Sequence, residues 1–455
     1  MSDDRWPHRL PGLLLGLSVS APAWAGFGAG SYGRVQVEST PEGGHGTPAD
    51  IVAHPGRLQA APYLELDLWW DMKDEAGGDW RVVVTPAISG QPFHYDGEWD
   101  ADLALRNLYV EADDWSPAPL RAWAGSRMVR GDDVHLLDFW PLDNLNTVGG
   151  GLVWEPQGWR LAGSVGLARP SAEAYQVQSV PVPLAGSVGA EDVLTLDRQR
   201  AVGSVKAGRF FATDAATFRV NGYGELHHLP EGQRVVEEQL KEALPADGGG
   251  VAGLQLSGWG WARESYLHAW GRLATGLATT DPLSVPSTFA TDHRTTGARE
   301  WLVALAGNQD WGPVAVQLGA YARHSRDADG QSGDPDDGWE SAVALRPLLA
   351  LGKHGSLGLE LSRQGRAPEG LSPRTDTLLR PRVTKVAIIP AIQPHSGSYA
   401  RPQLRAQYVY EHLNDDARRW FPDEDPRHQT NHQHFIGIGA EWWIDSNDYL
   451  PGDNR

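Results

Sequence analysis

The sequence has no cysteine and, after residue 25, no long apolar run. The first absence excludes disulfide bonds but leaves the compartment open. The second excludes a membrane protein built of helices, because a spanning helix needs about 20 consecutive apolar residues. Basic residues are also scarce, since 39 Lys and Arg stand against 58 Asp and Glu and give a net charge of −19. Nucleic acid is therefore not expected as a partner, because binding phosphates requires clustered cations.

Glycine and tryptophan, in contrast, are abundant. The 455 residues include 53 Gly and 20 Trp, although only 41% of the chain is hydrophobic. This length allows two or three ordinary domains or one large closed sheet. A transmembrane β-strand needs only about 10 residues, of which every second one is apolar. The composition therefore favours an all-β, transmembrane antiparallel β-barrel.

The N-terminus resembles an export signal. Arg5 and Arg9 precede an apolar run over 10–19, and Ala23-Trp24-Ala25 forms a small-x-small motif before Gly26. This pattern predicts a signal peptide over residues 1–25 that is cleaved during export. The alternative is a short apolar N-terminal tail. We expect the barrel to occupy residues 26–444 and a C-terminal tail to follow over 445–455.

Two early segments separate their side chains into an apolar face and a face of aromatic and charged residues, as strands do. In the second segment, Leu64, Leu66 and Leu68 alternate with Tyr63 and Glu65. The same alternation recurs in the C-terminal third, and long and short connections follow one another along the chain. Counting such segments gives about eighteen strands. A leucine face against lipid and a polar face against water is what a spanning barrel with a wet lumen requires.

The segment over residues 123–143 reads WAGSRMVRGDDVHLLDFWPLD. It begins as a strand and breaks at Gly131 into a segment that is too irregular for a strand and too interrupted for a helix. Three acids, a histidine and the pair Phe139-Trp140 lie in it. We expect an inward-folded constriction loop over about 131–149. The alternative is a solvated loop that its aromatic residues attach to the core.

Several blocks of the sequence resemble, in order, the maltoporin family of outer-membrane sugar porins. They are Y-x-R at Tyr32, Y-x-E-L at Tyr63, WAG…R…DVHxxDF, VALRPL near Arg346, RPQLR from Arg401 and a terminal E-W-W. The resemblance implies an eighteen-stranded barrel that assembles as a homotrimer. It also implies a run of lumen aromatics along which sugar rings stack, with charged residues beside them.

The resemblance also implies the residues of the substrate site. The stacking aromatics would be Tyr32, Tyr63, Trp99, Tyr399 and Trp443, with Trp99 reaching a neighbouring subunit. Trp140 matches the tyrosine of the constriction. The charged residues would be Arg34, Glu65, Arg106, Asp133 and Asp138. One stacking aromatic is missing from this set because the middle third of the chain does not align.

Each assignment has an ordinary structural alternative. Tyr399 and Trp443 could belong to an aromatic belt at the lipid surface. Arg34 and Arg106 could be paired with carboxylates of the wall and never touch a ligand. His135 is expected to be a hydrogen-bonding support for the loop.

Other combinations of residues are weaker. Asp327, Asp329 and Asp334 resemble a calcium loop, but no helices flank them, so an external solvated loop is expected. His428, His432 and His434 lack a further ligand at a suitable spacing. No pair of carboxylates stands out as the acid and base of a glycosidase. We therefore expect no catalytic residues, no metal and no cofactor.

These observations predict an outer-membrane channel for facilitated diffusion of oligosaccharides, in contact with membrane lipid. One alternative is a non-selective general porin. The other is a secreted, soluble all-β carbohydrate-binding protein or glycoside hydrolase. The leucine face of residues 64–68 favours a channel, because such a face is a liability on a soluble protein.

Overall fold

The computed structural model describes residues 26–73, 78–91, 100–116, 118–168, 179–183, 190–194, 198–237, 240–279, 292–329 and 333–446. Within these ranges the chain forms one closed antiparallel sheet of 18 strands. The predicted signal peptide over 1–25, Trp99 and the tail after residue 446 lie outside the described residues.

The strands of the barrel follow one another in chain order. They are β1 (Gly26–Ser39), β2 (Tyr63–Lys73), β3 (Asp79–Gln91), β4 (Asp100–Asp113), β5 (Leu120–Arg130), β6 (Asn144–Trp154), β7 (Trp159–Ala168), β10 (Arg200–Ala212), β11 (Thr217–Leu229), β14 (Asp247–Trp259), β15 (Tyr266–Gly276), β16 (Arg299–Asp310), β17 (Val314–Arg326), β18 (Gly338–Leu351), β19 (Gly355–Pro368), β20 (Arg382–Ile392), β21 (Gln403–Leu413) and β22 (His432–Ile444). The pairing of β22 with β1 closes the sheet, and Trp443 lies opposite Tyr32 in that pair. The expectation of an all-β antiparallel barrel of about eighteen strands is confirmed.

Long and short connections alternate around the barrel, so all long connections lie at one end. Two of them carry small hairpins, β8 (Ser179–Pro183) with β9 (Ala190–Leu194) and β12 (Gly232–Glu237) with β13 (Leu240–Leu244). The connection before β22 carries two short helices, α1 (Asp415–Trp420) and α2 (Pro426–Gln429). No helix among the described residues is long and apolar enough to cross a membrane.

The strands are apolar on the outside and polar on the inside, which is the reverse of a soluble protein. On β19, Leu359 and Leu361 are 47% and 53% exposed, whereas Glu360 and Ser362 between them are 1% and 6% exposed. Side chains of successive strand residues point to opposite faces. The apolar residues therefore form an outer surface suited to lipid, and the polar residues line the interior.

Large aromatic side chains lie on the outer surface near both ends of the strands, as in membrane barrels, where they form belts at the two interfaces. Near the short turns the exposed aromatics are Phe27, Trp70, Trp80, Trp154, Trp159, Phe211 and Phe218. Near the long connections they include Trp301 and Trp339. The apolar surface between these belts marks the span of the membrane.

Among the described residues, three connections fold inward and fill part of the barrel. The first long connection (the 40–62 loop) and the connection between β5 and β6 (the constriction loop, 131–143) contribute buried apolar residues to one internal cluster. The connection between β20 and β21 (the 393–402 strap) enters from the opposite end, and Tyr399 lies on it rather than in a strand. Residues 144–149 of the expected constriction loop belong to β6, so the inward segment is shorter than the sequence suggested.

Replacing an outward leucine by arginine should destabilise the barrel according to depth. Leu345 lies at the middle of β18, and Leu351 lies at its short-turn end. An arginine at the membrane midplane costs about 2–4 kcal/mol, falling to about 0–1 kcal/mol near an interface. We expect Leu345→Arg to lower the free energy of unfolding from lipid vesicles by the larger amount and Leu351→Arg by the smaller. Unfolding of each variant in guanidinium chloride, monitored by tryptophan fluorescence, gives the two free energies of unfolding. Equal losses for the two variants would contradict the assigned span.

Candidate functional site

The constriction loop is attached to the wall formed by β10 to β15. Its Asp143 forms an ion pair of 2.9 Å with Lys206 on β10. Asp132 contacts Arg219 and Gln255, and Arg272 donates a hydrogen bond of 3.1 Å to the carbonyl of Pro141. These contacts lie at both ends of the loop. They hold it against one side of the lumen, and we infer that the passage lies along the opposite wall, beside β1, β2 and β22.

A short local structure shapes the tip of the loop. Residues 135–137 form a 3₁₀ turn, which Asp138 ends in a left-handed conformation with φ of 49°. The backbone N–H of Val134 donates to the carbonyl of Phe139 at 2.7 Å and closes this turn. Val134 and Phe139 are buried, whereas the side chain of Asp138 is 38% exposed. The turn therefore places its apolar residues in the internal cluster and leaves Asp138 available at the passage.

The 40–62 loop covers the constriction loop from the side of the long connections. Its backbone N–H groups at Ala49 and Ile51 donate to Glu411 at 2.8 Å and to Gln364 at 3.0 Å, respectively. The ring of His54 stacks on that of Phe139, with 4.0 Å between the centroids. The two loops thus pack as one body, which narrows the barrel more than either loop alone.

Arg57 of the 40–62 loop connects this body to the opposite wall. It donates hydrogen bonds of 2.7 Å both to Glu441 on β22 and to the hydroxyl of Tyr32 on β1. It also lies 3.0 Å from Nδ1 of His135. Arg57 is not predicted from the sequence, because a loop rich in Gly, Pro and His has no periodicity that indicates where a side chain points. His135 has the supporting contacts expected of it.

The first part of the candidate site lies on β1, β2 and β4. The rings of Tyr32 and Tyr63 are 5.9 Å apart. Arg34 forms an ion pair of 2.9 Å with Asp138, and Arg106 contacts Glu65 and the hydroxyl of Tyr63.

A β-bulge accounts for the position of Arg106. Thr85 pairs with Asn107 and Pro86 pairs with Leu105, so Arg106 is the extra residue between them. In a bulge the extra residue re-aims its side chain. Both Arg34 and Arg106 are thus paired with carboxylates, which agrees with the alternative in which they pair with the wall. These pairs nevertheless border the passage, beside Tyr32 and Tyr63.

The second part of the site lies toward the short turns. Trp443 shares the inner face of β22 with buried Glu441, and its ring lies 6.5 Å from that of Tyr399. The hydroxyls of Tyr399 and Tyr266 are 2.6 Å apart. Arg401 lies over the Trp443 ring at 4.3 Å and pairs with Glu441 at 2.8 Å. Tyr399 and Trp443 therefore face the lumen rather than the lipid.

Tyr266 on β15 extends this row. It lies in the middle third of the chain, which did not align with the family pattern. Its signal in the sequence is that Tyr266, His268 and Trp270 alternate with the apolar residues Leu267 and Ala269.

The remaining predicted site residues lie in different places. Trp140 lies next to Arg130, whose guanidinium is 3.9 Å from the ring centroid. Trp99 lies outside the described residues. In the constriction loop, burial raises the pKa of Asp133 to about 6. For Asp138, burial acts in the same direction, but Arg57 and Arg34 outweigh it and lower the pKa. Asp138 thus keeps its charge to a lower pH than Asp133 does.

Carboxylate oxygens of Asp327, Asp329 and Asp334 lie within 4.8 Å of one another in a long connection. Acidic residues of an external loop often gather in this way without a cation. His428, His432 and His434 do not form such a group in the part of the chain that the structure describes.

The comparison with known protein families decides the class of this barrel. The model of the LamB porin family matches residues 27–443, which is most of the chain. The chain belongs to the LamB porin family. This LamB porin is an outer-membrane channel of a non-enzymatic class, so the alternative of a soluble carbohydrate-binding protein or hydrolase is wrong. No curated protein matches the sequence.

Solved structures of other outer-membrane proteins are similar to this chain at low identity. OccAB1 of Acinetobacter baumannii is 10% identical, with a TM-score of 0.44 over 92% of this chain and 96% of that one. OprD of Pseudomonas aeruginosa is 9% identical, with a TM-score of 0.42 over 92% of this chain and 93% of that one.

Removing the attachment of the constriction loop should widen the channel. Lys206→Met deletes the cation that pairs with buried Asp143, and breaking a buried pair costs about 3–5 kcal/mol. We expect a larger and noisier single-channel conductance in planar bilayers, because the loop leaves the wall part of the time. Lys353→Met, at an exposed short turn, is the control and should conduct like the parent. Unchanged conductance of Lys206→Met would show that other contacts suffice to hold the loop.

One carboxylate that holds the 393–402 strap is that of Glu264. Glu264, between β14 and β15, accepts hydrogen bonds from the backbone N–H of Ser398 at 2.7 Å and of Tyr399 at 3.4 Å. We expect Glu264→Ala to release the strap, separate Tyr399 from Tyr266 and raise conductance. Glu424→Ala removes an exposed charge at the other end and is the matched control. If both variants conduct like the parent, Glu264 does not hold the strap.

Proposed function

We propose that this LamB porin carries oligosaccharides across the outer membrane by facilitated diffusion. The observation that supports this most strongly is a row of aromatic side chains on the lumen side. It passes from the constriction toward the short turns through Tyr63, Tyr32, Trp443, Tyr399 and Tyr266. Each of these residues is partly exposed, whereas the aromatic and aliphatic residues of the internal cluster are buried. Their rings thus remain accessible to a ligand.

The chemistry of a sugar matches such a row. A pyranose ring has a weakly apolar C–H face and a rim of hydroxyl groups. Aromatic planes bury the face, and charged side chains exchange strong hydrogen bonds with the rim. Several equivalent sites in a row allow binding that is weak at each site, which a channel needs in order to release its substrate.

The arrangement of charge favours a neutral polyol over an ion. Arg34 pairs with Asp138, Arg106 with Glu65, and Arg57 and Arg401 with Glu441. Adjacent opposite charges produce little net field across the passage, yet they still offer donors and acceptors at short range. A general porin, the second candidate, has no need for aromatic rings beside these pairs.

Three further predictions accompany this function. We propose that residues 1–25 are removed during export, that the mature chain assembles as a homotrimer, and that Trp99 extends the aromatic row at the side of the long connections. Their support is the signal-like N-terminus and the family resemblance.

Substitution of one residue of the aromatic row and of its outward neighbour tests the function. Trp443 faces the lumen, whereas Trp442 lies on the lipid side of the same strand and donates a hydrogen bond of 3.1 Å to Ser31. The mature protein in planar bilayers is titrated with linear oligosaccharides, and the block of ion current gives Kd. We expect saturable block, and Trp443→Ala should weaken it about fivefold, since an aromatic contact contributes about 1 kcal/mol. Trp442→Ala should leave Kd unchanged.

Two more substitutions locate the site along the passage. Tyr63→Ala and Trp140→Ala should weaken the block to a similar extent, because both residues border the constriction. Ion current that no sugar reduces would contradict the proposal and favour a general porin. Equal effects of Trp443→Ala and Trp442→Ala would indicate a change in the barrel rather than the loss of a stacking surface.

A further inference from the structure

A groove of about 610 Å³ lies on the outer face of the barrel where β16 to β20 approach the long connections. Its centre is a row of residues paired across five strands. The register places Val303, Ala322, Ser341, Gly365 and Arg382 side by side in this order. The three middle residues are small, so they leave a trough between larger side chains.

Arginines line the groove on the side of β19 and β20. Arg363 lies in the neighbouring row, paired with Val343 and Thr384, and Arg366, Arg380 and Arg382 line the same groove. The guanidinium of Arg366 lies over the Trp420 ring at 5.4 Å. Arg363, Arg380 and Arg382 are exposed. Within the described part of the chain, none of their side chains contacts an acidic residue.

Such a cluster is unexpected in this chain, which has 58 acidic residues against 39 basic ones. The arginines inside the lumen are paired with carboxylates. The arginines of the groove are not, although an unpaired cation on a lipid-facing strand is unfavourable away from the interface. A guanidinium offers several donors in a fixed fork that matches a phosphate group. The cluster therefore fits an anionic ligand that comes from outside the chain.

The position of the groove indicates where this ligand lies. Trp301 and Trp339 mark the aromatic belt at the same end of the barrel, and Trp339 also lines the groove. Aromatic belts lie at the level of the lipid headgroups. The long connections of outer-membrane barrels face outward from the cell. The arginines thus lie at the headgroups of the outer leaflet, and the trough extends from them into the acyl region.

We propose that this groove binds a phosphate-bearing acyl lipid of the outer leaflet. The phosphate oxygens accept hydrogen bonds from Arg363 and Arg382, while an acyl chain lies in the trough over Ala322, Ser341 and Gly365. Such a lipid occupies both the arginine cluster and the apolar trough, whereas a free anion would leave the trough empty. A second copy of this chain would need acidic residues opposite the arginines, and the exposed neighbours on these strands are apolar.

Native mass spectrometry of the purified porin in detergent, titrated with diphosphorylated lipid A, tests the proposal. We expect Arg363→Gln/Arg382→Gln to weaken lipid binding about tenfold to thirtyfold. The matched control is Arg374→Gln/Arg418→Gln, which removes two arginines at the same end that pair with Asp423 and Asp415 outside the groove. Monophosphorylated lipid A should bind the parent more weakly than the diphosphorylated form. Conductance should be the same in all variants, because the groove faces away from the lumen.

Filling the trough tests the apolar half. Ala322→Trp should reduce lipid binding, whereas Ala406→Trp, an outward alanine of β21 beyond the groove, should not. The proposal fails if both double arginine variants weaken binding equally or if a phosphate-free acyl glycolipid binds as well. It also fails if inorganic phosphate alone displaces the lipid, which would assign a free-anion site. A loss of subunit association without a loss of lipid binding would assign the groove to a second copy. None of these outcomes depends on which solute the channel carries.

Discussion

The pairing of β1 with β22 is the constraint on which the rest of the structure depends. Within lipid, every backbone N–H and C=O group needs a partner in the protein, so a sheet can span a membrane only if it has no open edge. Here the first strand meets the last over residues 31–39 and 436–444. This closure also places Tyr32 opposite Trp443, although more than 400 residues of chain separate them. The contact that seals the barrel thus joins two parts of the candidate sugar site.

Closure leaves an interior lined with charged and polar side chains, and this interior has its own constraint. A buried charge needs a partner. The strands supply some of these partners, and the inward loops supply others, as when Arg57 reaches Glu441 and Asp143 reaches Lys206. The loops are therefore held by the same ion pairs that neutralise the wall. Several of these pairs lie on the wall of β1, β2 and β22, beside the aromatic rings of the candidate site.

The outer surface obeys the opposite rule, since lipid offers no partner for a charge. Most outward positions are accordingly aliphatic, with aromatics at the two ends. The arginine-lined groove of β19 and β20 is an exception. It lies at the level of the lipid headgroups, where the membrane can supply an anionic partner. The same residue type thus serves two purposes. Carboxylates of the protein neutralise the arginines in the lumen, whereas the proposed partner of the groove arginines is a lipid phosphate from the membrane.

The sequence by itself determined the class of the fold and the nature of its two faces. Alternation is a local property with a period of two residues, so Leu64, Leu66 and Leu68 reveal their strand without any knowledge of distant contacts. The strand count, the lumen face of Glu65 and Tyr63, and the position of the constriction loop follow from the same pattern together with the family blocks. A loop such as that of residues 40–62 has no period, which is why Arg57 could not be placed from the sequence.

Only the tertiary structure decided which residues meet. Tyr399 lies on a strap that reaches across the lumen to Tyr266, and nothing local in the sequence indicates that this turn folds inward. The four groove arginines come from two strands and the connection between them, and they become neighbours through the register of β19 with β20. The sequence therefore determined the face of each strand residue, because a face depends on adjacent residues. The structure decided the site, because its contacts join residues far apart in the chain.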